Sequence, residues 1–182
     1  MRIAAGRTAG SSTAGAAAGV IELNRFERCE CGVDVVGDDV TTVLKGNTCE
    51  KNTVGFKIRG NDKWAISENK FADNTRCGVM LTKYCGSDIS HCSFRGTGAG
   101  VLVDGESTAK IVDCKFTGCN VGVHVMPTGK PVVVRSVFRR ECHIGVLVSG
   151  GNGRVVSNVL TDCSIAGVCV ENVTAAPTDA RN

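Results

Sequence analysis

A glycine followed by an apolar strand returns every 22 or 23 residues, seven times: Gly32-Val33, Gly55-Phe56, Gly78-Val79, Gly100-Val101, Gly122-Val123, Gly145-Val146 and Gly167-Val168. A second mark keeps step ahead of each glycine: Asn24-Arg25-Phe26, Asn47-Thr48-Cys49, Asn69-Lys70-Phe71, Cys92-Ser93-Phe94, Cys114-Lys115-Phe116, Ser136-Val137-Phe138 and Asn158-Val159-Leu160. Two marks in phase through seven copies are the signature of a solenoid, in which each unit buries its apolar side against the next.

The interior of one unit reads as three short strands. In the third copy these are Ala65-Ile66-Ser67, a bend at Asn69 with Phe71, then a turn through Asn74 into Gly78-Val79-Met80-Leu81. Strand residues alternate between faces. The inward pairs of the last strand are then Val33/Val35, Phe56/Ile58, Val79/Leu81, Val101/Val103, Val123/Val125, Val146/Val148 and Val168/Val170. Leu44, Ile66, Ile89, Ile111, Val133 and Val155 add one inward residue before the bend, and the phenylalanine column adds another. A propeller blade needs roughly 40–50 residues per repeat, whereas this unit fits a coil that closes on itself and stacks at roughly 4.8 Å. The fold expected is all-β: a single-stranded parallel β-helix of about seven coils over residues 20–172. Residues 1–19 read as a flexible Ala/Gly/Ser-rich leader and 173–182 as a polar, disordered tail. Stacking puts like on like, so Asn24, Asn47, Asn69 and Asn158 should form a ladder at the bend, where asparagine tolerates left-handed backbone.

The pattern resembles the right-handed parallel β-helix family with its pectin-lyase-like repeats, and Ile89-Ser90-His91-Cys92-Ser93-Phe94 looks like the coil pattern shared by pectate lyases. The resemblance implies a right-handed solenoid. The family includes polysaccharide lyases, NosD-like proteins, F-box-associated substrate-binding repeats and cytosolic scaffolds, so the repeat specifies fold far better than function. Pectate lyases carry an aspartate before the histidine, where this chain has Ser90.

Composition excludes several classes. Only 4% of residues are aromatic and the net charge is +3 with signs mixed throughout, which gives neither the basic stripe nor the stacking platforms of a nucleic-acid binder. No apolar run reaches membrane-spanning length. The 11 cysteines are odd in number and interchange with Phe and Asn at repeat positions, which reads as packing in a reducing, cytoplasmic compartment. The acid-poor leader is also compatible with organellar import. Cys92 and Cys114 fall on adjacent coils, within bridging range. No C-x-x-C spacing points to a metal, and no motif calls for a cofactor.

Two outward columns are candidate sites. Just before the bend, successive coils place Gly46, Glu68, His91, Asp113, Arg135 and Ser157. Glu68 and Asp113, two coils apart at roughly 9–10 Å, approach the spacing of an inverting glycosidase pair. His91 lies between them, and Arg135 is placed to hold an anionic sugar. The plainer reading is a ladder of opposite charges. On the last strand, Asp34, Lys57, Met80, Leu102, His124, Leu147 and Cys169 alternate outward. Met80, Leu102, Leu147 and Cys169 are apolar where a solvated strand would be polar, which marks a covered or contacted face. The expectation is a non-catalytic interaction or scaffold module for a protein partner. The alternative is a polysaccharide lyase or glycoside hydrolase using Glu68, His91, Asp113 and Arg135.

Overall fold

The computed structural model describes residues 2–4, 17–37, 40–60 and 64–171. Every described strand belongs to one of three parallel sheets. Sheet A holds Arg2–Ala4, Cys31–Val36, Val54–Arg59, Cys77–Thr82, Ala99–Val103, Val121–Val125, Ile144–Ser149 and Ala166–Glu171, in that spatial order. Sheet B runs from Ala17–Glu22 through Val40–Lys45, Ala65–Ser67, Asp88–Ser90, Lys110–Val112 and Val132–Val134 to Arg154–Val156. Sheet C runs from Arg25–Glu27 through Thr48–Glu50, Lys70–Ala72, Ser93–Arg95, Lys115–Thr117 and Val137–Arg139 to Val159–Leu160. Each coil passes through B, C and A in turn, and sheets B and C carry seven strands each, one per repeat.

Register follows the sequence marks. Val79 pairs with Phe56 and Val101, and Phe94 with Phe71 and Phe116, so equivalent residues stack. The inward residues form one core between the three sheets. Burying about four such side chains per coil, at about 1.5–3 kcal/mol each, opposes the backbone ordering cost. Phe71, Phe94, Phe116 and Phe138 form a stack with ring centroids 4.9, 4.8 and 4.5 Å apart.

The repeat glycine answers to that stack. A Cβ on Gly100 would lie 2.5 Å from the carbonyl oxygen of Gly122 and 2.6 Å from the Phe116 ring. Gly55, Gly78 and Gly122 meet Phe71, Phe94 and Phe138 in the same way. The two marks of the sequence are therefore one packing feature: the ring of each coil sits on the glycine of the coil before.

The corners depart from expectation in one respect. The left-handed residue between sheets B and C is Leu23, Gly46, Glu68, His91, Asp113, Arg135 or Ser157, with φ between 49° and 63°. The ladder asparagine follows it and is not itself left-handed. Its role is to bond across coils. The amide of Asn47 donates to Asn69 Oδ1 at 2.9 Å, Asn47 Nδ2 to the same oxygen at 3.1 Å, and Asn69 Nδ2 to the Leu44 carbonyl at 2.7 Å. Asn24 donates to Asn47 Oδ1, and Asn158 accepts from the Ser136 amide at 2.8 Å. These bonds satisfy polar groups that the bend removes from the strand ladders.

The boundary expected at residue 20 shifts. Ala17–Glu22 is a strand from Ala17 onward, and Arg2–Ala4 pairs with Asp34–Val36 at the edge of sheet A, so parts of the 1–19 segment belong to the solenoid. Small residues do not prevent this, because backbone pairing alone holds an edge strand. Residues 5–16 and the tail 173–182 lie outside the described residues.

Candidate functional site

The charged column sits at the B–C corner, where left-handed backbone turns its side chains outward. The Arg135 guanidinium donates two bonds to Asp113, Nε to Oδ1 at 3.0 Å and Nη2 to Oδ2 at 2.9 Å. His91 Nε2 stands 4.0 Å from Asp113 Oδ2. Glu68 turns the other way, to Lys45 Nζ at 3.3 Å. The hydrogen bond from Arg135, with its charge and that of His91, holds the Asp113 carboxyl below its ordinary value. A general acid needs the opposite shift, a carboxyl kept protonated near neutral pH. The column thus brings His91 and Arg135 together around Asp113, with Asp113–Arg135 as its ion pair, and leaves Glu68 with Lys45. A hollow of about 340 Å³ is lined by these three residues with Ser93, Lys115 and Val137.

One expected outcome follows. Asp113 is more acidic in the fold than unfolded, so the stability it contributes is present above the ordinary aspartate value of 3.8 and is lost as pH falls through the folded value. Arg135→Ala should return the Asp113 titration, followed by carboxyl-carbon NMR, toward that ordinary value. An unchanged titration would mean that Arg135 does not set it.

Sheet A carries the second column in unbroken register: Asp34, Lys57, Met80, Leu102, His124, Leu147 and Cys169 are successive partners. Met80 packs on the outer face with Val54, Cys77 and Ala99, against half-buried Cys31 and Leu102. Met80 is 4% exposed and Leu147 9%, while Leu102 and Cys169 are half-buried. A neighbouring outward column of Val121, Ile144 and Ala166, all half-buried, widens the apolar strip. Its charged end is Asp34, held by Arg59 Nη2 at 2.6 Å. Burial lowers the His124 pKa, which favours a neutral ring at neutral pH. Its Nε2 is 3.1 Å from Ser149 Oγ, and that hydroxyl donates to Glu171 at 3.4 Å. The serine lies between histidine and carboxylate, so its proton goes to the glutamate and not to the imidazole; a nucleophilic triad needs the histidine in the middle.

Sequence reasoning missed a further apolar strip on the outer face of sheet B. There Val112, Val134 and Val156 stack in the column that Ser67 and Ser90 occupy in earlier coils. The signal lay in Val132-Val133-Val134, an apolar run where alternation calls for one inward residue. Trp64 is buried and Tyr84 is exposed, so no aromatic platform accompanies any of these columns among the described residues.

No curated protein and no solved structure matches the chain. The family model described as right handed beta helix region matches residues 2–138 and again 54–180. Two overlapping matches of one model are what a repeating coil produces, and the three parallel sheets are its architecture. The chain belongs to the right-handed β-helix family.

Proposed function

We propose that this β-helix is a non-catalytic interaction module that presents the outer face of sheet A to a protein partner. The observation that carries this reading is the register-aligned apolar strip running through Met80, Leu102, Leu147 and Cys169 on a parallel sheet. A stacked sheet loses little conformational entropy on docking, so its apolar area converts efficiently into affinity. The charged column supports the same reading from the other side, because the Asp113 carboxylate paired with Arg135 is a poor proton donor.

The test compares partner capture from native extract by the parent chain, Leu102→Lys and Val134→Lys, with identified partners rebound in purified form. Leu102 is half-buried on sheet A and Val134 half-buried on sheet B, so both variants should keep the parent circular dichroism. Loss of the partner in Leu102→Lys alone is expected, by at least tenfold in Kd for a desolvated lysine at the contact. Equal binding by all three chains would refute a sheet A contact. Turnover of a polysaccharide abolished by Asp113→Asn would replace this function with the lyase or hydrolase alternative.

A further inference from the structure

The corner between sheets C and A carries a second ladder. Its column reads Cys29, Asn52, Asn74, Thr97, Cys119, Cys142 and Cys163, as successive cross-coil backbone bonds show. In the first coils the column is amide-based: the Cys29 amide donates to Asn52 Oδ1 at 2.8 Å, and the Asn52 amide to Asn74 Oδ1 at 3.1 Å. From Thr97 onward it becomes a sulfur ladder. Thr97 Oγ1 meets Cys119 Sγ at 3.3 Å, and Cys142 is the next rung, its side chain close enough to Cys119 for the two thiols to shift each other's acidity. The Cys119 amide approaches the Cys142 sulfur, as the Cys29 amide does Asn52 Oδ1.

We propose that Cys119 and Cys142 form a reversible disulfide that staples two adjacent coils when the protein meets a hydroperoxide. Stacked corner residues stand about 4.8 Å apart, inside the Cα separation of roughly 4.4–6.8 Å that a disulfide spans without moving the backbone. The chemistry has two steps. The Cys142 thiolate attacks the peroxide oxygen; a sulfur–oxygen bond forms, the oxygen–oxygen bond breaks, and the leaving oxygen departs as alcohol or water with a proton. The Cys119 sulfur then attacks the sulfenic sulfur; the sulfur–sulfur bond forms, and hydroxide leaves with the Cys119 proton as water. Two thiols lose two electrons and one hydroperoxide gains them.

Three features of this pair favour the reaction, and its place near the end of the solenoid singles it out. Within the pair Cys142 is the more acidic partner, because Cys119 and nearby backbone amides stabilise its thiolate, while the shared bond and burial hold Cys119 protonated; Cys92 and Cys114 divide in the same way. Arg139, Arg140 and His143 surround Cys142 in sequence, all exposed. Cys142 also lies one coil from the last described coil, where Val168 and Val170 are 46% and 70% exposed, so local opening there reaches it first. The other stacked pair differs in depth and in thiol contacts. Cys92 and Cys114 lie on the fourth and fifth of seven coils, one coil further from the last described coil, and their thiols donate to the Ser90 and Val112 carbonyls at 3.3 Å, against 3.8 Å from Cys119 to Thr117.

The test is peptide mapping of the whole chain after graded hydrogen peroxide, with thiols blocked before digestion. Trypsin places Cys119 in residues 116–135, Cys142 in 141–154, Cys163 in 155–181 and Cys114 in 111–115, so the pairings are distinguishable. The expected product joins 116–135 to 141–154, about two mass units below their sum, and reverts with dithiothreitol. It should form in Cys92→Ser/Cys114→Ser and be absent in Cys142→Ser. The oxidised chain should unfold at higher urea than the reduced one, and the difference should vanish on reduction. A Cys92–Cys114 or Cys142–Cys163 link in its place, or no link at peroxide doses that fully oxidise exposed Cys29, overturns the proposal. The mapping uses the unmodified chain, so a variant that fails to fold leaves the answer intact.

Discussion

Gly100→Ala should destabilise the solenoid by about 3 kcal/mol, the upper part of the range for forcing atoms into a packed core. The new methyl would stand 2.5 Å from the Gly122 carbonyl and 2.6 Å from the Phe116 ring. Neither neighbour can retreat. The carbonyl belongs to the sheet A backbone, and the ring is held between Phe94 and Phe138 at 4.8 and 4.5 Å. Gly118→Ala is the control. Gly118 has φ +61°, yet no atom lies nearer than 3.9 Å to its added Cβ, and Arg140 and Asp162 adopt the same left-handed corner. Its cost should be about 1 kcal/mol, that of a left-handed non-glycine residue. Urea unfolding followed by far-ultraviolet circular dichroism separates the two. Equal midpoints for both variants would mean that backbone conformation, not contact with the ring, explains the repeat glycine. Because coils interact only with neighbours, the Gly100 variant should also broaden its transition as the solenoid parts at that coil.

This packing explains why the fold was legible. Glycine and phenylalanine recur in phase because each ring needs the vacancy that glycine leaves, so one physical contact prints two marks per coil. The inward valines and isoleucines were readable for a similar reason, since strand alternation leaves each position one choice of face. The corners were less legible. Glu68, His91, Asp113, Arg135 and Ser157 share a left-handed backbone that their side chains do not announce, and only Gly46 in that column hints at it. The asparagines were read as the left-handed residues, whereas they stand one position later and act through amide bonds. The outward columns follow from strand alternation, but their state was not readable from order alone. Whether Met80 on an outer face is covered depends on how Val54, Cys77 and Ala99 pack around it. Whether Asp113 is an acid or a ladder rung depends on the rotamer that brings Arg135 within 2.9 Å.

The second large effect is expected at Asn69, where substitution by alanine should cost about 3 kcal/mol, since each buried polar group left without a partner costs roughly 1–3 kcal/mol. Asn69 is buried between two coils. Its oxygen receives both the Asn47 amide and Asn47 Nδ2, and its own Nδ2 satisfies the Leu44 carbonyl at 2.7 Å. Alanine orphans the first and the last; Asn47 Nδ2 retains the Ile21 carbonyl at 2.8 Å. Asn69→Ser should cost less than half as much. The chain itself uses serine in this column, where Ser136 Oγ accepts from the Cys114 amide at 3.2 Å and donates to the Val134 carbonyl. Asn24→Ala should cost under about 1 kcal/mol, because Asn24 is exposed and water can replace what it loses. Denaturant midpoints for the three variants give the ordering directly. If Asn24→Ala and Asn69→Ala fell together, the ladder would owe nothing to burial, and the asparagines would matter only as bend formers. If Asn69→Ala alone were costly and serine restored it, the column would be a chain of acceptors in which any side chain that reaches the preceding coil's amide suffices. That outcome would also account for Cys92 and Cys114 in the same column. A thiol is a weak acceptor but fills the same space, so the central coils can exchange polar reach for packing while the carbonyls of Ser90 and Val112 take the sulfur's proton.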